Sequence, residues 1–92
     1  MTFFDRRKHE RIEVNGCTVR CADGKWSAAG RVINISEGGM SAELESAPHS
    51  KGEVGLFFRY NGREIKKKAV IAWYIENEYP ERSAKVGFRY IE

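Results

Sequence analysis

The chain has 92 residues, 41% of them hydrophobic, which is enough for one modest core and leaves no room for a second. Its 16 Lys and Arg against 13 Asp and Glu give a net charge of +3, a mild basic excess that favours anionic partners without requiring them. The opening MTFFDRRKHER has two consecutive apolar side chains before the charges begin, and no later run approaches the ~20 residues of a membrane span, so the expected location is the cytosol.

Residues 1 to 11 are too polar after Phe4 to bury themselves, and the expectation is a mobile arm that a partner must hold. Alternation begins at Ile12 and Val14. It resumes after Asn15 and Gly16 with Cys17, Val19 and Cys21 on one parity, as a strand with a bulge would. Four residues of strand at ~3.3 Å each separate Cys17 and Cys21 by roughly 13 Å, beyond the ~7 Å limit for a disulfide. They read as reduced, buried thiols. A zinc site with His9 and His49 is the other possibility, but the compact ligand pairs of structural zinc sites are absent and no metal is expected.

Asp23-Gly24 marks a turn, and Trp26 to Ile35 resumes strand character, so these two runs are expected to pair. NISEGGM, residues 34 to 40, then interrupts the pattern with more polar and glycine residues than a turn needs. Met40, Ala42 and Leu44 alternate with Ser41, Glu43 and Glu45, giving one apolar and one wet face. After a polar loop at 46 to 53, Val54, Leu56, Phe58 and Tyr60 alternate up to Asn61-Gly62, a strong hairpin signal.

The returning run, Arg63 to Ile75, places Ile65, Ala69, Ile71, Trp73 and Ile75 on one parity, and its second half is expected to be buried on both faces. Lys66, Lys67 and Lys68 read as a wet edge that deters sheet-to-sheet pairing. After a loop at ENEYPER, Ala84, Val86, Phe88 and Tyr90 close the pattern, with Gly87 leaving a gap in the opposite face. Six short strands with regular turns predict an all-β, six-stranded antiparallel barrel over residues 12–92 behind a flexible basic arm at 1–11.

Two segments suggest a binding site. In the arm, Arg7 and Arg11 point the same way in either a helical turn or an extended strand, so two guanidinium forks converge on one target such as a phosphate or a guanine edge. In NISEGG, Asn34 and Ser36 share a parity and offer an amide and a hydroxyl, groups that suit a purine edge, while Gly39 allows close approach to the backbone.

Together, the RxxxR at Arg7 to Arg11 and the (D/N)xSxxG at Asn34, Ser36 and Gly39 resemble the signature of the PilZ domain family. AVIAW at 69 to 73 and AKVGFRYIE at 84 to 92 resemble that family's later strands, so the likeness spans essentially the whole chain. The resemblance implies a bacterial receptor for cyclic di-GMP whose arginine arm closes over ligand on the barrel. By position, Arg7 and Arg11 would hold phosphate and guanine, and Asn34, Ser36 and Gly39 the guanine edge. Arg6, just before the motif, implies a stacked pair of ligand molecules. Asn34 stands where the family more often has Asp and offers one acceptor oxygen where a carboxylate offers two. Trp73 reads either as core or as a stacking platform for a base.

No nucleophile lies beside a base and no cofactor is implied, so an enzyme is not expected. A ligand-independent protein-interaction barrel is one alternative. A small barrel binding single-stranded nucleic acid through the arm and Phe57, Tyr74 and Tyr79 is another. In the receptor reading the signal passes to an effector on a separate protein chain.

Overall fold

The computed structural model describes residues 12–13, 16–48, 51–78 and 82–91. The chain runs through β1 (Ile12–Glu13), β2 (Thr18–Ala22), β3 (Ser27–Ile35), β4 (Gly39–Leu44), β5 (Glu53–Tyr60), β6 (Arg63–Asn77) and β7 (Ser83–Ile91). The arm expected at 1–11 lies outside the described residues, as do His49 and Tyr79.

Local chemistry sets the first hairpin. The Asp23 carboxylate accepts the backbone N–H groups of Lys25 at 2.9 Å and Trp26 at 2.8 Å, an Asx turn that brings β2 back against β3 with Ala22 opposite Ser27. Asn61 and Gly62 both have positive φ, 54° and 78°, as a type I′ turn requires, and they close the β5–β6 hairpin between Tyr60 and Arg63. The expected strand from Ile12 to Cys21 is two strands. Gly16, at φ 75°, separates β1 from β2, and both pair with β3.

All pairings are antiparallel, in the order β1-β3-β2-β5-β6-β7-β4, and a further β3–β4 pairing closes the sheet into the expected six-stranded barrel. The interior is filled by alternate residues: Cys21, Met40, Ala42, Leu44, Leu56, Ala69, Ala84, Val86 and Phe88 are all buried. Each large apolar side chain among them contributes roughly 1.5–3 kcal/mol on leaving water. Ser46 Oγ accepts the indole N–H of the buried Trp26 at 3.2 Å, which ties the start of β3 to the segment after β4.

The lysine run on β6 is only partly an edge. Lys68 pairs with both Gly55 and Ile91, whereas Lys66 and Lys67 run past the end of β7 and, among the described residues, pair with β5 alone. Two lysines thus flank the open stretch, as expected of an edge protected by charge.

The second half of β6 differs from its expected two-sided burial. Ala72 is exposed, Trp73 is 43% exposed and Ile75 64%, because a register shift between Ile71 and Trp73 inserts Ala72 as a bulge and reverses the alternation. Beyond it Tyr74, not Trp73, packs against the core.

Candidate functional site

Two bulges build one outer face. Ile35, Met40, Phe88 and Ile71 form a lateral row across β3, β4, β7 and β6, and all four are buried in the barrel. The adjoining row therefore points outward: Asn34 opposite Ser41, Ser41 opposite Gly87, Gly87 opposite Trp73. Strict alternation from the buried Ala28 and Val32 would turn Asn34 inward, and from Ile71 it would turn Trp73 inward. The register shift that inserts Ile33 before Asn34 and the one that inserts Ala72 before Trp73 bring both to the outside.

β1 extends this row. Glu13 pairs with Asn34 and Ile12 with Ile35, so the chain joins the barrel beside the NISEGGM segment. Three inter-strand steps of ~4.8 Å separate Asn34 from Trp73, a shelf about 14 Å wide.

The turn between β3 and β4 is held from within. Ser36 N–H donates to Gly39 O at 2.8 Å, the Ser36 hydroxyl donates to the same carbonyl at 3.3 Å, and that hydroxyl accepts the Gly38 N–H at 3.2 Å. A serine hydroxyl has two acceptor lone pairs, so one remains for a donor on a ligand. Tyr90 N–H donates to Gly38 O at 3.0 Å, which pins the turn to the end of β7.

Gly39 is buried, and a β-carbon there would overlap the Phe88 carbonyl oxygen, so glycine is what lets β4 and β7 approach. On the same grounds Gly87 makes room for Trp73: a β-carbon at 87 would fall on Nε1 and Cε2 of the indole. The gap expected at Gly87 is filled by that ring.

One row further along, Arg31 pairs with Glu43, Glu43 with Lys85, and Lys85 with Ile75. Arg31 Nη2 lies 2.8 Å from Glu43 Oε1, and the Ser83 hydroxyl is 3.5 Å from Glu43 Oε2. The hydrogen bond from Arg31 holds the Glu43 carboxyl below its ordinary range, with smaller help from Arg31 and Lys85 charge. A shallow groove of about 630 Å³ adjoins this ion pair and is also lined by Thr18, Asn77, Arg82 and Ser83.

Asn34, Ser36, Gly39 and Trp73 are therefore gathered on one end and outer face of the barrel, while Arg6, Arg7 and Arg11 lie outside the described residues. Sequence reading passed over Ser41. Its alternation with Met40 and Ala42 predicts a wet face, yet it is 7% exposed and sits between Asn34 and Gly87. A small residue beside the Asn34 register position was the available signal.

Both cysteines are free and buried, and burial raises both thiols, Cys21 to about 12 with a smaller contribution from Asp23. A protonated thiol is a poor metal ligand. Among the described residues no three His, Cys, Asp or Glu side chains are placed to share a metal ion. Likewise no helix among them is long and apolar enough to cross a membrane.

The sequence matches the family model described as PilZ domain over residues 5–92. No curated protein matches it. Among solved structures, the PilZ domain with c-di-GMP of YcgR from Escherichia coli is similar at 18% identity and a TM-score of 0.76, over 96% of this chain and 79% of that one. The Bacillus subtilis inhibitor of motility MotI/DgrA is similar at 22% identity and 0.76, over 96% and 44%. YcgR in complex with c-di-GMP from Escherichia coli gives 18% and 0.75, over 95% and 38%. The chain thus spans less than half the length of the last two.

Proposed function

This chain belongs to the PilZ domain family, and from that premise we propose that it is a cytosolic receptor for cyclic di-GMP. The observation that carries the reading is the outward row Asn34–Ser41–Gly87–Trp73, with β1 joining the barrel at its end. Asn34 supplies an amide for a guanine edge, Ser36 its remaining acceptor, and Trp73 an exposed indole on which a base stacks. Two of the similar folds carry c-di-GMP, which supports the same ligand here.

In this proposal Arg7 and Arg11 bind phosphate and guanine. In support of that reading, Ile12, the residue after Arg11 in the sequence, is paired with Ile35, next to Ser36. Arg6 adds a contact that favours a stacked pair of ligand molecules. Gly39 serves the site indirectly, since its missing side chain lets β7 close against β4 beneath the Ser36 turn. Closure of the arm over bound ligand changes a surface that a separate effector protein reads.

Isothermal titration calorimetry with cyclic di-GMP, run on the wild type beside Arg7→Ala, tests the reading. A micromolar dissociation constant corresponds to about 8 kcal/mol, which charge-assisted contacts of roughly 1.5–3 kcal/mol each and base stacking of about 1–3 kcal/mol per base must supply beyond the cost of ordering the arm. Heat in the wild type that vanishes in the variant is expected, and the stoichiometry separates one ligand from two. No heat at protein concentrations well above that constant overturns the receptor reading.

A further inference from the structure

On the side of the barrel away from the candidate site, β2, β5 and the first half of β6 present a second outward row: Arg20 opposite Phe57, and Phe57 opposite Lys66. The next row places Ala22 opposite Gly55 and Gly55 opposite Lys68. Phe57 is 41% exposed, and its ring lies back over Gly55, where a β-carbon would sit 3.5 Å from Cε2 and Cζ. The Lys66 ammonium stands 5.8 Å above the ring centroid. An exposed aromatic is thus seated on a glycine floor and flanked by Arg20, Lys66 and Lys68.

Charge on this face is unbalanced. Of the acids on the same three strand segments, Glu64 is bonded to Arg59 at 3.0 Å and Glu53 stands one row beyond Gly55, so the three cations Arg20, Lys66 and Lys68, which have no ion pair among the described residues, outnumber the one acid left beside them. Arg20 and Lys66 are two strands apart, ~9.6 Å, and Lys66 and Lys68 are ~6.8 Å apart along the strand. The Lys66–Lys68 spacing matches carboxylates on alternate residues of an extended polypeptide, which point to the same side.

We propose that this face docks an acidic protein segment carrying one apolar anchor residue that packs on Phe57, with carboxylates meeting Arg20, Lys66 and Lys68. Such a centre, one aromatic anchor ringed by charges, is how small interfaces concentrate their affinity. A single-stranded nucleic acid fits less well, because it needs several open aromatic faces on which successive bases stack, and this row carries one exposed ring, Phe57, between Arg20 and Lys66. The inference is independent of the ligand reading, since neither Phe57 nor its neighbours belong to the Asn34–Trp73 row.

The test is a nuclear magnetic resonance titration of the isotope-labelled full chain with a short synthetic peptide of Asp and Glu around one central Leu. The same peptide with central Gly, an oligothymidylate and phosphatidylglycerol vesicles serve as the other arms. Shifts centred on Gly55, Phe57 and Lys66, at least about tenfold tighter for the Leu peptide than for the Gly peptide and lost in both Phe57→Ala and Lys66→Glu, are expected. The same spectra report that each variant is folded. Equal binding of the two peptides, shifts centred elsewhere, or tighter binding of the oligonucleotide or vesicles at these residues overturns the proposal.

Discussion

The indole of Trp73 occupies the space that a β-carbon on Gly87 would claim, across the β6–β7 pairing. The ring is therefore held flat against the barrel while 43% of the residue stays open to solvent. Gly87→Ala must displace the ring, so its fluorescence should change and ligand affinity should fall along with that of Trp73→Ala. A base stack is worth about 1–3 kcal/mol, so Trp73→Ala should weaken cyclic di-GMP binding about five- to 150-fold by calorimetry. Its melting temperature should fall much less than that of a core truncation such as Phe88→Ala. Unchanged affinity in both variants would remove Trp73 from the site.

Gly39 makes the opposite prediction, a stability effect ahead of any binding effect. A methyl group there meets the Phe88 carbonyl, a backbone atom that cannot swing aside. Overpacking of this kind costs about 1–3 kcal/mol or more, and for a domain this small each kcal/mol lowers the melting temperature by about 4–8 °C. Gly39→Ala should therefore melt roughly 5–20 °C below the wild type without ligand present. A melting temperature within a degree or two of the wild type would mean that β4 and β7 can separate at no cost.

Asn34→Asp tests what the outward amide does. A carboxylate at this position accepts from two guanine N–H groups at once, where the amide offers one oxygen. The variant is expected to bind cyclic di-GMP several-fold more tightly by calorimetry, with the gain shrinking as salt rises. Weaker binding would show that the amide donates to the ligand.

The contrast among these positions explains what could be read from the chain and what could not. Closure of the barrel was legible because turns at Asp23-Gly24 and Asn61-Gly62 and the alternation of Met40 to Leu44 are local patterns. The outward direction of Trp73 was not. Its parity matches that of buried Ile71, and only the inserted Ala72 reverses it, a register event set by the partner strand β7. Ile33 plays the same part before Asn34, where the parity shared with Ser36 gave no hint of a bulge. Motif spacing singled out Asn34 and Trp73 as candidates, but the two insertions that turn them onto one face depend on strands distant in sequence.

Cys21 should be chemically silent in the folded protein. Burial, with a smaller push from Asp23, raises its thiol from 9.0 to about 12. The folded state thus keeps a proton that the unfolded state loses above about pH 9, and stability should fall as pH rises from there toward 12. Cys21→Ser should flatten that alkaline limb in thermal melts. A thiol reagent at neutral pH should label Cys21 only at the rate of unfolding, and rapid labelling of the native protein would contradict its burial.

Glu43 predicts the acid limb. Its carboxyl is held below the ordinary 4.5 chiefly by the hydrogen bond from Arg31, so the folded state binds its proton less readily than the unfolded chain. The contribution is complete above the unfolded value and is lost as pH falls through the lower folded one. Because Glu43 touches Arg31 on β3 and Ser83 on β7 from its own place on β4, its protonation loosens three strands together. Wild type should melt above Glu43→Gln at neutral pH, and the difference should close as pH falls through and below the ordinary carboxylate range. A gap that stays constant over that range would show that shape, not charge, is what Glu43 contributes. Added salt should narrow the neutral-pH gap only in part, because the pair is screened on the exposed Arg31 side and sheltered on the Glu43 side, with side-chain exposures of 73% and 29%.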